Sequence, residues 1–170
     1  MLTFNPIDRS EVLTLAKDIS THRKSLGRIS LPDSDQAMFR YLLHYQDGHA
    51  SRSRLVACAR IGDRSVGFFT AEESANFEKL YHFRIGVEAA ALWPPFRSKG
   101  IGKSFIFALK DLMYQFFSVN RFGASVSREN TSMSRLLCAC GFEKVGVPRH
   151  WDRGKGDKPE LLDDYVTVKA

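Results

Sequence analysis

The run from Leu80 to Leu92 reads Leu-Tyr-His-Phe-Arg-Ile-Gly-Val-Glu-Ala-Ala-Ala-Leu and stops against Trp93-Pro94-Pro95-Phe96. This junction restricts the fold more than any other segment. The run has the composition of a buried strand. Proline lacks the N–H that a central strand needs, so the chain must leave a sheet at Pro94. It then meets Arg97-Ser98-Lys99-Gly100-Ile101-Gly102-Lys103-Ser104. Beyond that, Ile101, Phe105, Leu109, Leu112, Met113 and Phe116 recur at helical spacing. A core strand that breaks at prolines, turns at glycines and becomes an amphipathic helix belongs to a sheet covered by helices. If the alternation is unbroken, Tyr81, Phe83, Ile85, Val87, Ala89 and Ala91 share one strand face. A bulge near Gly86 would interrupt that phase.

The other segments extend the same architecture. Leu2 to Ile7 reads as a first strand. Asp8-Arg9-Ser10-Glu11 has a capping-box pattern before Val12, Leu13, Leu15 and Ala16. Asp33 or Ser34 caps a second helix through Met38, Phe39, Leu42 and Leu43, which Asp47-Gly48 ends. Arg54 to Ile61 and Ser65 to Ala71 form a hairpin around Gly62-Asp63-Arg64. Phe122 to Ser127 is a strand, Asn130 to Cys140 a helix ended by Gly141, and Phe142 to Val147 and Asp164 to Val168 are the last strands. The expected fold is mixed α/β: one domain over residues 1–170, with helices on both faces of a single sheet. A chain of 170 residues buries a core without disulfides or metal. Cys58, Cys138 and Cys140 are too few and too unevenly placed for a disulfide framework or a zinc site, so no metal is expected. No apolar run reaches the roughly 18–20 residues that cross a bilayer, and the first residues lack the basic start of a signal peptide. The expected location is cytoplasmic, with no membrane partner.

The segment from Arg97 to Ser104 carries the chemistry. A helix start leaves backbone N–H groups unpaired and holds partial positive charge. Glycines at 100 and 102 allow close approach to that backbone, and Arg97, Lys99 and Lys103 add charge. The pattern suits a phosphate or pyrophosphate. Gly102-Lys103-Ser104 ends like a P-loop, but Arg97 stands where that motif needs its first glycine. A dinucleotide fingerprint needs glycine where Phe105 stands. What remains is Arg-x-x-Gly-x-Gly after a strand.

This pattern resembles the pyrophosphate loop of the GNAT superfamily, the acyl-CoA-dependent N-acyltransferases. Leu92-Trp93-Pro94-Pro95-Phe96-Arg97 is similar to the family's approach to that loop. Asn130, Met133, Leu136-Leu137 and Gly141-Phe142 resemble its second signature, and Gly146 falls where another glycine is common. The resemblance covers Leu80 to Gly146. It implies that the Leu80–Leu92 strand splays from the Phe122–Ser127 strand to admit a pantetheine arm. Main-chain groups near Leu92 and Trp93 would bind that arm. N–H groups of Ser98, Lys99, Gly100, Ile101, Gly102 and Lys103 would hold the pyrophosphate, with Arg97 over it. Asn130 would contact the arm or brace the loop, alongside its ordinary reading as a helix N-cap. The implied co-substrate is acetyl-CoA.

Acyl transfer to an amine needs a base for the amine's proton and a donor for the developing oxyanion. The family's base positions on the central strand correspond here to Gly86 and Glu88, which makes Glu88 the candidate base. Its other reading is an outward-facing strand residue paired with a surface cation. Many members have a tyrosine at the position of Leu137 that protonates the leaving thiolate; leucine cannot. Water, Ser134, Cys138, Tyr165 or Tyr81 are the alternatives. The acceptor is open: a protein N-terminus or lysine, an aminoacyl-tRNA or a small amine. The net charge of +6 tilts the reading toward a large anionic partner such as tRNA or the ribosome. A homodimer is left open. The rival reading is a non-catalytic module of the same fold that binds acyl-CoA, RNA or a protein.

Overall fold

The computed structural model describes residues 1–26, 31–75, 83–151 and 160–169. Strand β1 (Leu2–Pro6) leads to helices α1 (Val12–His22) and α2 (Asp35–Asp47), with a 3-10 turn at Arg23–Ser25 between them. Strands β2 (Arg54–Ile61), β3 (Arg64–Glu73) and β4 (Ile85–Leu92) follow, then a 3-10 turn at Pro94–Phe96 and helix α3 (Gly102–Phe117). The chain continues through β5 (Arg121–Ser127), α4 (Thr131–Ala139), β6 (Glu143–Trp151) and β7 (Glu160–Val168).

Local chemistry accounts for the boundaries. Asp8 and Glu11 form a reciprocal capping box: the Glu11 N–H donates to Asp8 Oδ1 at 3.1 Å and the Asp8 N–H to Glu11 Oε2 at 3.0 Å. Ser34, rather than Asp33, caps α2, its Oγ accepting the Ala37 N–H at 3.1 Å. Gly62 turns the β2–β3 hairpin at φ +58°. The last two strands are longer than expected, because β6 bends through a bulge at Gly146 and continues to Trp151.

The seven strands form one sheet in the order β1-β2-β3-β4-β5-β7-β6. Only β4 and β5 run parallel; the other pairs are antiparallel. Helices α3 and α4 cover one face through Phe105, Ile106, Leu109, Met113 and Leu137, packed on Phe69, Ile85 and Phe122. Helices α1 and α2 cover the other through Val12, Ile19, Met38 and Leu42, packed on Val56, Phe68 and Trp93. Helices on both faces of one sheet match the expectation.

The central strand departs from it. The strand is Ile85–Leu92, and residues 80–82 lie outside the described residues. Phe83 precedes the strand, its ring lying where a Cβ on Gly123 would stand. The single face expected for Ile85, Val87, Ala89 and Ala91 does not exist. Ala71 pairs with Val87 but Thr70 pairs with Ala89, so Glu88 is an extra residue on β4. Ile85 and Val87 therefore face α3 and α4 with Ala90 and Leu92, whereas Ala89 and Ala91 face α1 and α2. The bulge sits at Glu88, not at Gly86.

Candidate active site

Strands β4 and β5 pair only at Gly86–Gly123 and Val87–Ala124, then separate. The rest of β4 and of β5 bounds a gap open toward their C-terminal ends. Trp93 donates its N–H to Val66 on β3 at 2.8 Å, so alternation turns the peptide groups of Ala90 and Leu92 toward the gap. These are ladder positions without a strand to pair with. An extended, amide-bearing chain can occupy them by adding itself to the sheet edge.

At the open end, the turn after Pro94–Phe96 forms a concave loop. Ser98 and Gly100 have φ of +58° and +76°, and Ile101 returns to the right-handed region. Such alternation points successive N–H groups into one hollow, an anion-binding nest. The start of α3 adds its unpaired N–H groups and dipole to the same place. A Cβ on Gly100 would meet nothing within 4 Å, so the hollow there is open. Gly102 serves a different need, since its Cβ would stand 3.2 Å from Leu136 on α4. Lys99 and Lys103 are exposed beside the loop.

The expected binding residues are thus brought together, with two differences. Arg97 turns away from the hollow. Its Nε donates to the Leu92 carbonyl at 2.9 Å and its Nη1 to the Ser25 carbonyl, tying the loop to the end of the α1 region. Both main-chain groups of Trp93 are already used, the N–H by Val66 and the carbonyl by the Phe96 N–H at 2.9 Å. Its indole stacks between His22 and Phe68 and donates to Ser65 Oγ at 3.0 Å. Ala90, which sequence reasoning missed, has the outward-turned peptide that Trp93 lacks. Asn130 is the N-cap of α4, its Oδ1 accepting the Met133 N–H at 3.2 Å. Its amide NH2 is the group left to reach a ligand.

Glu88 lies on the face of β4 toward α2, level with the start of the gap. The residue is exposed at its tip, with Tyr41 and Tyr45 of α2 and Glu72 of β3 near enough to interact with its charge. Partial loss of water, with Glu72 beside it, pushes its carboxyl up to about 7. Glu72 itself lies 3.6 Å from Arg54. The same pocket wall holds Tyr41, whose hydroxyl is 2.9 Å from the Thr70 hydroxyl and whose pKa burial pushes up to about 12. Tyr45 is raised further in the same direction, first by burial. Both phenols stay protonated near neutral pH, so Glu88 is the group of this cluster that can exchange a proton there. Glu72, Tyr41 and Thr70 were missed because they come from separate elements with no motif to join them.

Leu137 is buried in the core and 3% exposed. Tyr165 is also buried, Cys138 is exposed, Ser134 is half-buried, and Tyr81 lies outside the described residues. Among the described residues no group of His, Cys, Asp or Glu could hold a metal ion. No helix among them is long and apolar enough to cross a membrane.

No protein-family model and no curated protein matches the chain. Solved structures do match it along nearly its full length. A ribosomal L7/L12 alpha-N-protein acetyltransferase in complex with coenzyme A superposes with a TM-score of 0.78 at 15% identity, covering 99% of this chain and 94% of that one. A ribosomal-protein-S5-alanine acetyltransferase from Vibrio fischeri gives 0.78 at 17%, covering 99% and 93%. A spermidine N-acetyltransferase from Vibrio cholerae in complex with CoA and spermine gives 0.74 at 12%, covering 99% and 95%. A splayed parallel strand pair, a nest at the following helix and these superpositions together establish that the chain has the GNAT acetyltransferase fold.

Proposed function

We propose that residues 1–170 form one N-acyltransferase domain that moves an acetyl group from acetyl-CoA to a primary amine. The observation that carries this reading is the gap between β4 and β5, with an anion nest at its open end and Glu88 beside its start. The nest from Ser98 to Lys103 would hold the pyrophosphate, and the peptides of Ala90 and Leu92 the pantetheine arm. Arg97 would exchange its carbonyl partners for phosphate oxygens. Acetyl-CoA supplies the acyl group as a thioester.

The chain's own residues then do the proton work. An alkyl amine is mostly protonated near neutral pH and attacks only when neutral. The ammonium's extra proton leaves to water first; Glu88, ionised above about 7, then accepts the proton that the neutral amine sheds as it attacks. Glu72 and Glu88 together attract the incoming ammonium. Leu137 gives no acid, and a CoA thiolate leaves unaided. The structural neighbours named above include enzymes of ribosomal proteins and of spermidine. The net charge of +6 suits an amine carried by an anionic macromolecule such as a ribosomal protein or an aminoacyl-tRNA. A cytoplasmic location fits these acceptors.

Calorimetry with acetyl-CoA tests the reading. The parent is expected to bind, and Lys99→Glu/Lys103→Glu to bind at least about 30-fold more weakly with unchanged circular dichroism; both side chains are exposed. A folded parent that binds no acetyl-CoA would sink the proposal.

A further inference from the structure

The opposite wall of the gap carries a hydroxyl whose single proton is already committed. Ser125 follows Ala124, the last residue of β5 paired to β4, and so stands level with Glu88. Phe122 and Val126 face α3 and α4, so Ser125 faces the other side, as Glu88 does. Its cross-strand neighbour on β7 is Asp164, whose side chain is 2% exposed. Ser125 Oγ donates to Asp164 Oδ1 at 2.7 Å and accepts from Arg149 Nη2 at 3.0 Å. Arg149 also grips both oxygens of Asp164, through Nε at 3.0 Å and Nη2 at 2.8 Å. This bidentate pair fixes the hydroxyl rotor.

A serine hydroxyl has one proton and two lone pairs. Here the proton goes to Asp164 and one lone pair to Arg149, which leaves one lone pair. Toward the gap Ser125 can accept a hydrogen bond and cannot donate one. It therefore cannot serve an oxyanion or protonate a thiolate; it suits an N–H.

We infer that Ser125 is an acceptor-binding residue that receives one N–H of the attacking primary amine while Glu88, on the facing strand, takes the other proton. The inference rests on the acyltransferase reading above. A neutral primary amine has two N–H bonds and a lone pair. The lone pair forms the C–N bond, the C–S bond breaks with its electrons going to sulfur, and one proton passes from nitrogen to the Glu88 carboxylate. The second hydrogen stays on the amide nitrogen, held by Ser125. A secondary amine has only the hydrogen that must leave, so the site selects primary amines.

The experiment compares kcat/KM for benzylamine against N-methylbenzylamine, and for an alanyl peptide against its N-methylalanyl counterpart. The proteins are the parent, Ser125→Ala and Ser125→Thr. Ser125→Ala leaves the Asp164–Arg149 pair in place, and its acetyl-CoA affinity by calorimetry is expected to stay within about twofold of the parent. Its kcat/KM for primary amines is expected to fall about tenfold, the worth of one hydrogen bond, and the preference for primary over N-methyl amines to shrink to about twofold. Ser125→Thr, which restores the hydroxyl, restores the preference. An unchanged preference in Ser125→Ala overturns the inference and leaves the acyltransferase reading standing. So does a loss confined to acetyl-CoA affinity, which would make Ser125 a co-substrate ligand. A parent that binds acetyl-CoA yet shows no preference for primary over N-methyl amines also overturns the inference, and one that binds no acetyl-CoA removes both.

Discussion

The nest proposed for the donor and the side-chain face proposed for the acceptor are assembled by different means. The donor end is local: the nest and the start of α3 come from consecutive residues between Arg97 and Lys103, and their active groups are backbone N–H. The acceptor face is distributed: Tyr41 comes from α2, Glu72 from β3, Glu88 from β4, Ser125 from β5 and Asp164 from β7, and their active groups are side chains. Backbone geometry at the donor end is set by glycine placement and tolerates change around it. Side-chain chemistry on the acceptor face depends on which residues the sheet happens to bring level. A fold can therefore keep one co-substrate site while its acceptor face is rebuilt.

The largest effect expected is on the acceptor face alone. Glu88→Gln should lower kcat by about 10²–10⁴-fold with acetyl-CoA affinity unchanged. A parallel loss of acetyl-CoA binding would show that the two regions are not separable. The same variant has a pH signature in stability. Burial and Glu72 make the folded-state carboxyl hold its proton more tightly than the unfolded one. This group's contribution is complete below the ordinary value of 4.5 and is lost as pH rises through about 7. Glu88→Gln should therefore melt higher than the parent at pH 8 and alike at pH 4.

A smaller effect is expected at the donor end. Gly100→Val forces a β-branched residue to φ +76° in otherwise open space, so the cost is backbone strain of about 1–2 kcal/mol. Acetyl-CoA affinity by calorimetry should fall about tenfold, with the midpoint of the pH–rate profile unmoved. A shifted midpoint would mean that the loop reaches Glu88.

The smallest effect tunes the acceptor face. In the parent, kcat/KM should rise with pH through about 7 as Glu88 ionises. Glu72→Gln removes a like charge, so that limb should move to lower pH by a fraction of a unit, with kcat on the plateau unchanged and KM for the amine raised. A limb that stays in place would assign it to another group.

The bulge shows where a linear reading of the sequence stops. Gly86 is the residue whose composition suggests a bulge, yet the extra residue is Glu88. The register of β3 against β4 decides this, and it depends on contacts between strands that have no signature within β4. A Cβ on Gly67 would stand 2.2 Å from the Ala91 carbonyl, so β3 needs a glycine where it packs on this part of β4. Leu137 is the reverse case. The sequence alone shows that no hydroxyl stands at that position, and the structure adds only that the leucine is core. Arg97 divides between the two. Its presence before the loop is legible, but its attachment to the carbonyls of Leu92 and Ser25 joins residues that only the fold brings together.

The sequence by itself determined the order of elements, the break at Pro94-Pro95, the glycine-bearing helix start at Gly100 and Gly102, the capping box of Asp8 and Glu11 and the cap at Asn130, and it narrowed the cap of α2 to Asp33 or Ser34. These are short-range consequences of missing N–H groups, missing Cβ atoms and side chains that reach three residues along the chain. Tertiary structure alone decided that Glu88 faces α2, that Trp93 spends its peptide groups within the fold, and that Ser125 gives its proton to Asp164. Each depends on strand register and on partners dozens of residues away, whose distance along the chain carries no pattern to read.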